Sequence, residues 1–439
     1  MVKDVVSVKY KEHDVGAASF NTETGIGSFE FEPRFIKTGI ELSPIKMPLS
    51  PKIYSFPEAD PAAFNGLPGM LADSLPDDFG NAVLNAWIAS QGKLPADITP
   101  IQRLRYTGKR GMGALTYHPA TQIKNLNTSQ HIEIQSLVSI AQEILDKRER
   151  FRIDLGAQGE EDKEAMMELL SVGVSAGGAR PKAILAFNDD FTQVRSGQTD
   201  VPEGFTHFIM KFDGVSEHNK DKETFGDPMG YGTMEYVYHL MAKECGIEMM
   251  PCRLLDEGNR RHFITQRFDR DGNEKRHVQT LNGLAHVSYK KAGLYSYAEL
   301  FTIARELKLS SDDAMQIFKR MVFNIVARNH DDHSKNFGFM LDDQYHWQLA
   351  PAYDLVYSYK PKSYWVGSHW MKLNGKRDNF TREDVYSLGK LSSLFSKHKI
   401  DQIIDETTEH VSKWNSLAAE NCVPHSLIEL IGSNLRLTI

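Results

Sequence analysis

Titratable and amide side chains are concentrated in one short segment, Asn329–Phe337, which reads NHDDHSKNF. It contains Asp331 and, five positions later, Asn336, and a further carboxylate, Asp354, follows downstream. Phosphoryl transfer uses one carboxylate to orient the acceptor hydroxyl and take its proton. It uses an amide and a second carboxylate to hold Mg²⁺ against nucleotide phosphates. The residue types and spacing therefore point to phosphoryl transfer, while the same composition is also typical of solvated turns.

The elements around this segment would hold its side chains in place. A helix is predicted over Ala314–Arg328 and has to end just before the segment. After the segment, two apolar runs predict a β-hairpin that delivers Asp354. The runs are Phe337–Leu341 and Tyr345–Leu349, with the turn residues Asp342–Gln344 between them. Protein kinases also place a catalytic Asp and a metal-binding Asn five positions apart, and their second metal-binding Asp also follows a hairpin.

Three upstream features fit the same chemistry, although each has an ordinary structural explanation. The run Ser175–Lys182 carries glycines suited to placing backbone N–H groups on phosphates, and a simple hairpin turn has a similar composition. Lys211 ends an alternating strand and could reach the α- and β-phosphates, whereas most strand-end lysines face solvent. Glu235 lies in the next predicted helix and could pair with Lys211, although most helix glutamates make no such pair. Their order along the chain is the order that a bilobal kinase requires.

Alternation and helical periodicity predict the other elements. Val6, Val8 and Tyr10 alternate with polar neighbours, so the chain is expected to begin with half-buried strands. Further strands are predicted at 183–187 and 205–212, a hairpin at 252–268, and helices at 77–87, 129–149 (capped by Ser129), 163–170 and 233–245. From about residue 296 onward the pattern is largely helical.

The composition restricts the class of protein. The chain has 439 residues, 41% of them hydrophobic and 25% charged, which is typical of folded globular proteins. Its 51 Lys and Arg against 58 Asp and Glu give a net charge of −7, which argues against binding nucleic acid through overall charge. No apolar run is long enough to cross a bilayer, and the start does not resemble a secretory signal. Since there are only three cysteines, a reducing, cytoplasmic location is expected.

The motifs together resemble the HipA family, the serine/threonine kinase toxins of bacterial type II toxin–antitoxin modules. The segment Asn65–Gly80 also resembles the N-terminal subdomain of that family, so the resemblance spans nearly the whole chain. The other motifs that carry it are Ser175–Lys182, Phe268–Arg270, Asp331–Phe337, Ala350–Asp354 and Lys372–Gly375.

The resemblance implies a role for each matching residue. Asp331 would be the catalytic base, and Asn336 and Asp354 would bind Mg²⁺. Ser175 matches the serine that members of the family autophosphorylate, which displaces the phosphate loop and silences the kinase. The residues implied to bind ATP are Ala176, Gly177, Gly178, Ala179, Arg180, Pro181, Lys182, Lys211, Gln266, Arg267, Phe268, His333, Lys335, Asn336, Tyr353 and Asp354.

The resemblance also implies an α+β, bilobal protein-kinase-like fold. A β-rich N-terminal subdomain is expected at 1–125, a mixed α/β N-lobe with the phosphate loop and hinge at 126–268, and a mostly helical C-lobe at 269–439. The implied partner is a small helix-turn-helix antitoxin of the HipB type, which would supply most of the contact with operator DNA. The implied substrates are proteins, and aminoacyl-tRNA synthetases are the known targets of the family. No membrane partner is expected.

Two positions depart from the family pattern. Asp332 stands where many relatives have Gly. This third carboxylate could bind metal weakly or raise the pKa of Asp331 through like-charge repulsion. Gln266 replaces an acidic residue at the start of the hinge, where contacts with adenine are largely made by the main chain.

Two other functions remain open at the level of sequence. The first is a metal-dependent phosphohydrolase, which has no use for the glycine loop, the strand-end lysine or a hinge. Its metal ligands would be His330, Asp331, His333 and Asp354. The second is a co-repressor that acts only by binding antitoxin and DNA. Such a protein would not need to retain the catalytic and metal-binding side chains together.

Overall fold

The computed structural model describes residues 4–123, 132–147, 170, 180–216 and 226–439. The chain divides into two compact units. The first consists of Met1–Leu42, Leu49–Gly232 and Pro251–His277, and the second of Ser43–Pro48, Thr233–Met250 and Val278–Ile439. In the described part of the chain, no helix is both long and apolar enough to span a membrane. The three-part division at residues 125 and 268 stays a prediction.

The strands and helices are numbered in chain order. The strands are β1 Asp4–Tyr10, β2 His13–Asn21, β3 Ile26–Phe31, β4 Leu115–His118, β5 Lys182–Asn188, β6 Val194–Ser196, β7 Phe205–Lys211, β8 Val215–Ser216, β9 Gly226–Asp227, β10 Cys252–Glu257, β11 Arg260–Gln266, β12 Arg270–Asp271, β13 Glu274–Lys275, β14 Val278–Thr280, β15 Gly338–Leu341 and β16 Trp347–Leu349. The helices are α1 Pro33–Ile36, α2 Pro61–Phe64, α3 Gly69–Ala72, α4 Asp78–Ser90, α5 Pro100–Thr107, α6 Ile134–Lys147, α7 Tyr231–Glu244, α8 Leu281–Ala285, α9 Tyr297–Glu306, α10 Ser311–Val326, α11 Arg382–Tyr386, α12 Lys397–Ser412, α13 Trp414–Glu420 and α14 His425–Asn434.

Two antiparallel sheets form the framework of the first unit. One has the order β3-β2-β1-β4, and the alternating residues Val6, Val8 and Tyr10 point into its core, as predicted. The other has the order β10-β11-β7-β5-β6. Residues of β5, β7 and β11 share one hydrophobic core with α4 and α6. This core covers one face of the five-stranded sheet. This core fixes the strands on which Lys182, Lys211 and the predicted hinge lie.

Several helix boundaries differ from the predictions. Helix α4 extends to Ser90, beyond the predicted residue 87, and α10 covers Ser311–Val326 in place of the predicted Ala314–Arg328. Helix α6 begins at Ile134, because Ile132 instead donates its N–H to Val194 O at 3.1 Å beside the sheet. Ser129 and residues 163–169 lie outside the described residues. Helix α7 begins at Tyr231, before the predicted Thr233.

The early start of α7 has a local cause. The buried carboxylate of Asp213 accepts hydrogen bonds from the N–H groups of Gly230 and Gly232 at 2.9 and 3.1 Å. A carboxylate at this position accepts hydrogen bonds from amides that otherwise lack partners, and its negative charge interacts favourably with the positive end of the helix dipole.

The second unit is mainly helical, as predicted from residue 296 onward. Tyr238 of α7 lies in its core, where the hydroxyl donates to Ala327 O at 2.8 Å and the ring contacts Phe323 and Trp414 edge-on. The predicted hairpin is confirmed as β15 and β16. The sheet has a third strand, β14, which the sequence did not indicate because only three residues pair before α8 begins.

Candidate active site

The segment Asn329–Phe337, which we call the catalytic segment after its predicted role, starts where α10 ends. The helix closes with Ala327, whose N–H donates to Phe323 O, and Arg328 then adopts left-handed backbone angles with φ of 55°. The next two residues are fixed by a short bridge to Ser358, which accepts from the N–H of His330 at 3.1 Å. The chain therefore leaves the helix in a defined direction.

Side chains alternate along the segment between half-buried and buried. Asp331, His333 and Lys335 are half-buried, whereas Asp332 and Ser334 are buried. The Ser334 hydroxyl donates to Val287 O at 2.6 Å, which holds the segment against the preceding loop. In the extended part of the segment successive side chains lie on opposite sides, so Asp331 and His333 share one side and Asp332 lies on the other.

A 3₁₀ turn at Ser334–Asn336 brings Asn336 back to Asp331. The amide Nδ2 of Asn336 donates to the carbonyl oxygen of Asp331 at 2.7 Å, and its N–H donates to His333 O at 2.9 Å. The predicted pair therefore lies together. Since Nδ2 is used in this bond, Oδ1 is the Asn336 atom that would ligate a cation.

His333, Lys335 and Tyr353 shape the rest of the segment. Nε2 of His333 lies 3.7 Å from Oδ1 of Asp331, whose side chain is 41% exposed. The Tyr353 hydroxyl donates to Lys335 O at 2.7 Å, and Lys335 Nζ lies 4.3 Å from the centre of the Tyr289 ring. Tyr353, which is predicted to contact ATP, thus also holds the main chain of the segment at Lys335.

Asp354 follows the hairpin and is half-buried. Its φ of 53° is in the left-handed region, where Asp is among the few tolerated residues. Asn329 Nδ2 lies 3.4 Å from the Asp354 carbonyl oxygen, and the N–H of Ala352 donates to Glu248 O at 2.8 Å. Asp354 is therefore held next to the start of the catalytic segment by its main chain.

The donor set fits Mg²⁺ shared with nucleotide phosphates. Mg²⁺ is commonly held by one or two carboxylates, with phosphates and water completing its shell. Asp354 and the Oδ1 atom of Asn336 would supply such a sparse set of oxygen ligands. Across the described ranges, no group of three or more His, Cys, Asp or Glu side chains is arranged to hold a metal ion. His330, Asp331, His333 and Asp354, the four ligands of the phosphohydrolase reading, all lie in these ranges and do not form such a group.

His330, the first metal ligand of that reading, has a different environment. Its ring lies 4.1 Å from that of His369 and 4.9 Å from that of Tyr359, measured between centres. Burial, followed by the nearby His369 and Arg328, lowers the pKa of His330 to about 2, so the ring is neutral at physiological pH. The His330 ring is therefore buried against the rings of His369 and Tyr359.

Asp332 is a buried structural carboxylate, and its contacts do not support weak metal binding, the first of the two possibilities raised for it. It is 1% exposed, and Oδ1 accepts from the N–H groups of Trp370 and Met371 at 2.7 and 3.4 Å. Oδ2 accepts from the hydroxyl of Tyr297 at 2.7 Å and from Nδ1 of His369 at 3.0 Å. With four donors, neither oxygen is available to a cation.

In the first unit, Lys211 is only 6% exposed, so the alternative that this strand-end lysine faces solvent is wrong. It stands opposite Lys182 on β5 and Phe263 on β11, and its Nζ lies 5.9 Å from the centre of the Phe263 ring. Lys182 is also buried, with Nζ 4.0 Å from Asp77. Two buried lysines thus occupy directly paired positions at one end of the sheet.

The predicted phosphate loop is only partly described. Ser175, Ala176, Gly177, Gly178 and Ala179 lie outside the described residues. The Arg180 guanidinium lies 5.9 Å from the centre of the Tyr231 ring, and Pro181 O accepts from the N–H of Phe212 at 3.2 Å.

Glu235 lies on α7 and is 4% exposed. It belongs to the second unit and Lys211 to the first, and their pairing stays a prediction.

The predicted hinge begins at the last residue of β11. The N–H of Gln266 donates to Pro251 O, and that of Arg267 donates to His207 O, both at 2.9 Å. The Arg267 side chain is fully buried in a double hydrogen bond with Asp269. Arg267 is thus a structural side chain, and Phe268 follows it at the point where adenine is predicted to bind.

The buried ion pairs around Asp269 were not recognised from the sequence. Asp269 also binds Arg270 and the N–H of Gly113, and Arg270 donates to Gly111 O at 3.0 Å. The alternation of opposite charges in Arg267–Arg270 was the available signal. These contacts tie the hinge to the loop before β4.

The sheet order and the mainly helical second unit define an α+β, kinase-like fold, and the predicted fold class is confirmed. A family model described as the HipA-like C-terminal domain matches residues 174–414, and one described as the HipA N-terminal domain matches residues 6–118. The first match alone covers more than half of the chain. The chain belongs to the HipA family, as the sequence motifs indicated.

Individual relatives are distant. The structure of Shewanella oneidensis MR-1 HipA with HipB and operator DNA matches with a TM-score of 0.65 and 17% identity, over 98% of this chain and 95% of that one. A Haemophilus influenzae protein named "Putative kinase" is 23% identical over 45% of this chain and 66% of its own length. "Putative kinase Y4mE" of Sinorhizobium fredii is 26% identical over 26% of this chain and 30% of its own length. The chain spans less than two thirds of both curated relatives.

Proposed function

We propose that the chain is an ATP- and Mg²⁺-dependent serine/threonine protein kinase and the toxin of a toxin–antitoxin module. The observation that carries the proposal is the 3₁₀ turn that joins Asn336 to Asp331 at 2.7 Å. The turn leaves 41% of the Asp331 side chain exposed, so an acceptor hydroxyl can reach it. A general base has to come within hydrogen-bond reach of the proton that it takes.

In the proposed reaction, Asp331 orients a serine or threonine hydroxyl and accepts its proton. The hydroxyl oxygen forms a bond to the γ-phosphorus of ATP, and the bond from that phosphorus to the bridging oxygen breaks and releases ADP. His333 lies beside the Asp331 carboxylate and helps to set its orientation. Asn336 and Asp354 would hold Mg²⁺, which would supply positive charge to neutralise the nucleotide phosphates.

The first unit supplies the nucleotide contacts in this proposal. The buried Lys211 binds the α- and β-phosphates, because an ammonium group held away from water interacts strongly with phosphate. In the same proposal, Lys211 also pairs with the carboxylate of Glu235. The main chain of Gln266–Phe268 meets adenine, and Ala176–Lys182 covers the phosphates. Autophosphorylation of Ser175 adds roughly −1.5 to −2 charges to the covering loop and switches the kinase off.

The proposed partner is a HipB-like helix-turn-helix antitoxin that carries most of the contact with operator DNA. The Shewanella HipA that shares this fold was solved with HipB and operator DNA, and two curated relatives are named as kinases. The net charge of −7 also favours DNA contact through a partner. Aminoacyl-tRNA synthetases are the proposed class of protein target, and a cytoplasmic location stays part of the proposal.

The test is ³²P transfer from ATP by wild type, Asp331→Asn and the control Asp343→Asn, which changes an exposed hairpin residue. Loss of a positioned base lowers the rate by about 10²–10⁴, so only Asp331→Asn should lose activity. Normal transfer by Asp331→Asn contradicts the assignment. If wild type is inactive but still binds antitoxin and operator DNA, the co-repressor reading replaces it.

The Ser175 proposal has its own measurement. Phosphopeptide mapping after incubation with ATP should find phosphate on Ser175 in wild type and not in Asp331→Asn. A fully active enzyme that leaves Ser175 unmodified rules out this mode of regulation.

A further inference from the structure

A chain of buried hydrogen bonds lies behind the catalytic segment. Asn329 Nδ2 donates to Asn324 Oδ1 at 2.9 Å, and Asn324 Nδ2 donates to the hydroxyl oxygen of Tyr297 at 3.3 Å. The Tyr297 hydroxyl donates in turn to Asp332 Oδ2 at 2.7 Å. All four residues are 2% exposed or less. We call these four side chains the relay.

Both ends of the relay are next to proposed active-site residues. Asp332 directly follows Asp331 in the chain, so fixing Asp332 limits where the base can point. At the other end, Asn329 Nδ2 also approaches the carbonyl oxygen of Asp354 at 3.4 Å. Asp354 has left-handed backbone angles, which Asp tolerates but which are still less favoured than extended or helical ones, so this contact helps to hold its conformation.

Every bond of the relay points the same way. Each amide or hydroxyl donates towards Asp332, and an ionised carboxylate is the natural end of such a chain because it only accepts. Asp332 is in turn fixed by donors from His369 and the main chain of Trp370. Aligned hydrogen bonds polarise and strengthen one another away from water. Removing one hydrogen bond of the relay should therefore weaken the others.

We propose that the relay sets the distance between Asp331 and Asp354, and that Asp332 and Tyr297 are positioning residues for phosphoryl transfer. The proposal rests on the proposed kinase function, because it assigns a purpose to the spacing of the base and a metal-binding carboxylate. All four relay side chains are buried, so the proposal places none of them in contact with substrate. Their substitution should lower the rate of transfer and leave the binding of ATP in place.

The perturbation is Tyr297→Phe, which removes one hydroxyl and keeps the ring in the core. The matched control is Tyr386→Phe, which removes the hydroxyl that donates to Asp401 elsewhere in the second unit. A small displacement of reacting groups can cost up to about 10²-fold in rate. We therefore expect Tyr297→Phe to lower kcat by about 10- to 100-fold with KM for ATP unchanged. Tyr386→Phe should keep wild-type kcat.

A double variant separates positioning from simple loss of stability. If Tyr297 and Asn329 act through one relay, Tyr297→Phe with Asn329→Ala should cost about as much kcat as the worse single variant. Independent losses would multiply. Multiplied losses, or a wild-type kcat for Tyr297→Phe, overturn the proposal.

Hydrogen exchange tests the relay without catalysis. Tyr297→Phe should speed amide exchange in the peptide that contains Asp354, and Tyr386→Phe should not. If wild type shows no kinase activity, the proposed function fails and this measurement alone decides the relay. Equal exchange in the two variants overturns it.

Discussion

Asp269 gives a sharp test of how the first unit is held together, because its carboxylate is fully buried between two guanidinium groups. Oδ1 and Oδ2 accept from Nε and Nη2 of Arg267, both at 2.8 Å. Oδ2 also accepts from Nη1 of Arg270 at 2.5 Å and from the N–H of Gly113 at 2.8 Å. One side chain thus joins the predicted hinge to a loop 156 residues away in the chain.

Replacing Asp269 with Asn removes the negative charge and leaves both guanidinium groups buried without a counter-charge. Removing one partner of a buried ion pair costs about 3–5 kcal/mol, so we expect the free energy of unfolding to fall by about that amount. The matched control is Asp271→Asn. Asp271 Oδ2 lies 3.0 Å from Arg276, but its side chain is 72% exposed. Exposed pairs contribute at most about 1 kcal/mol.

Urea-induced unfolding of wild type and both variants measures this difference. The slope of free energy against urea should stay constant while the midpoint of Asp269→Asn falls well below that of Asp271→Asn. Equal midpoints for the two variants would falsify the reasoning, because burial is the main difference between the pairs.

The pH dependence of the free energy of unfolding gives a second test of the Asp269 ion pairs. Burial alone would raise the pKa of Asp269, but the guanidinium groups of Arg267 and Arg270 hold it well below its usual value. A lowered folded-state pKa gives stability that is present above the unfolded pKa of about 3.9 and is lost as the pH falls through the lowered value. The gap between wild type and Asp269→Asn should therefore narrow below about pH 4. A gap that stays constant contradicts this explanation.

Three further predictions concern the first unit. Lys211→Ala should weaken Mg-ATP binding roughly tenfold or more in calorimetry, whereas Lys93→Ala, an exposed control, should not; equal affinities contradict the phosphate contact. Burial, and then nearby guanidinium groups, lower the pKa of Lys275 to about 7. Because the unfolded chain then binds more protons between about pH 7 and 10, wild-type stability should rise over this range, and less so in Lys275→Met. Gly232→Ala should destabilise the unit by about 1–3 kcal/mol in urea unfolding, because its β-carbon would lie 2.1 Å from Arg261 O; an unchanged midpoint refutes this.

Much of the fold could be predicted because the decisive signals are local. Alternation identified β1 and the long strands of the five-stranded sheet, and turn residues identified the β15–β16 hairpin. The pairing of Asp331 with Asn336 was also accessible, because a 3₁₀ turn closes over a few residues and needs no distant partner.

Other features depend on distant partners and could not be predicted in this way. Lys211 has the sequence environment of a solvent-facing strand end, and only the neighbouring strands and the rest of the fold bury it. Arg267 lies in the predicted hinge, yet its guanidinium is taken by Asp269 in a network that reaches Gly113. Hydrophobic periodicity carries no information about such contacts, because they pair polar groups across long separations in sequence.

The adjacent carboxylates of Asp331 and Asp332 separate what local sequence can predict from what depends on distant partners. Period-two alternation in an extended segment already requires Asp331 and Asp332 to face opposite sides. It does not say which side is buried. That choice depends on donors for a carboxylate out of water, and these come from Tyr297, His369 and Trp370, which are 35 to 38 residues away. Because an unpaired buried charge is strongly unfavourable, only the residue that meets those donors can turn inward. Its neighbour Asp331 is left on the opposite, more exposed side, as the proposed role of a base requires.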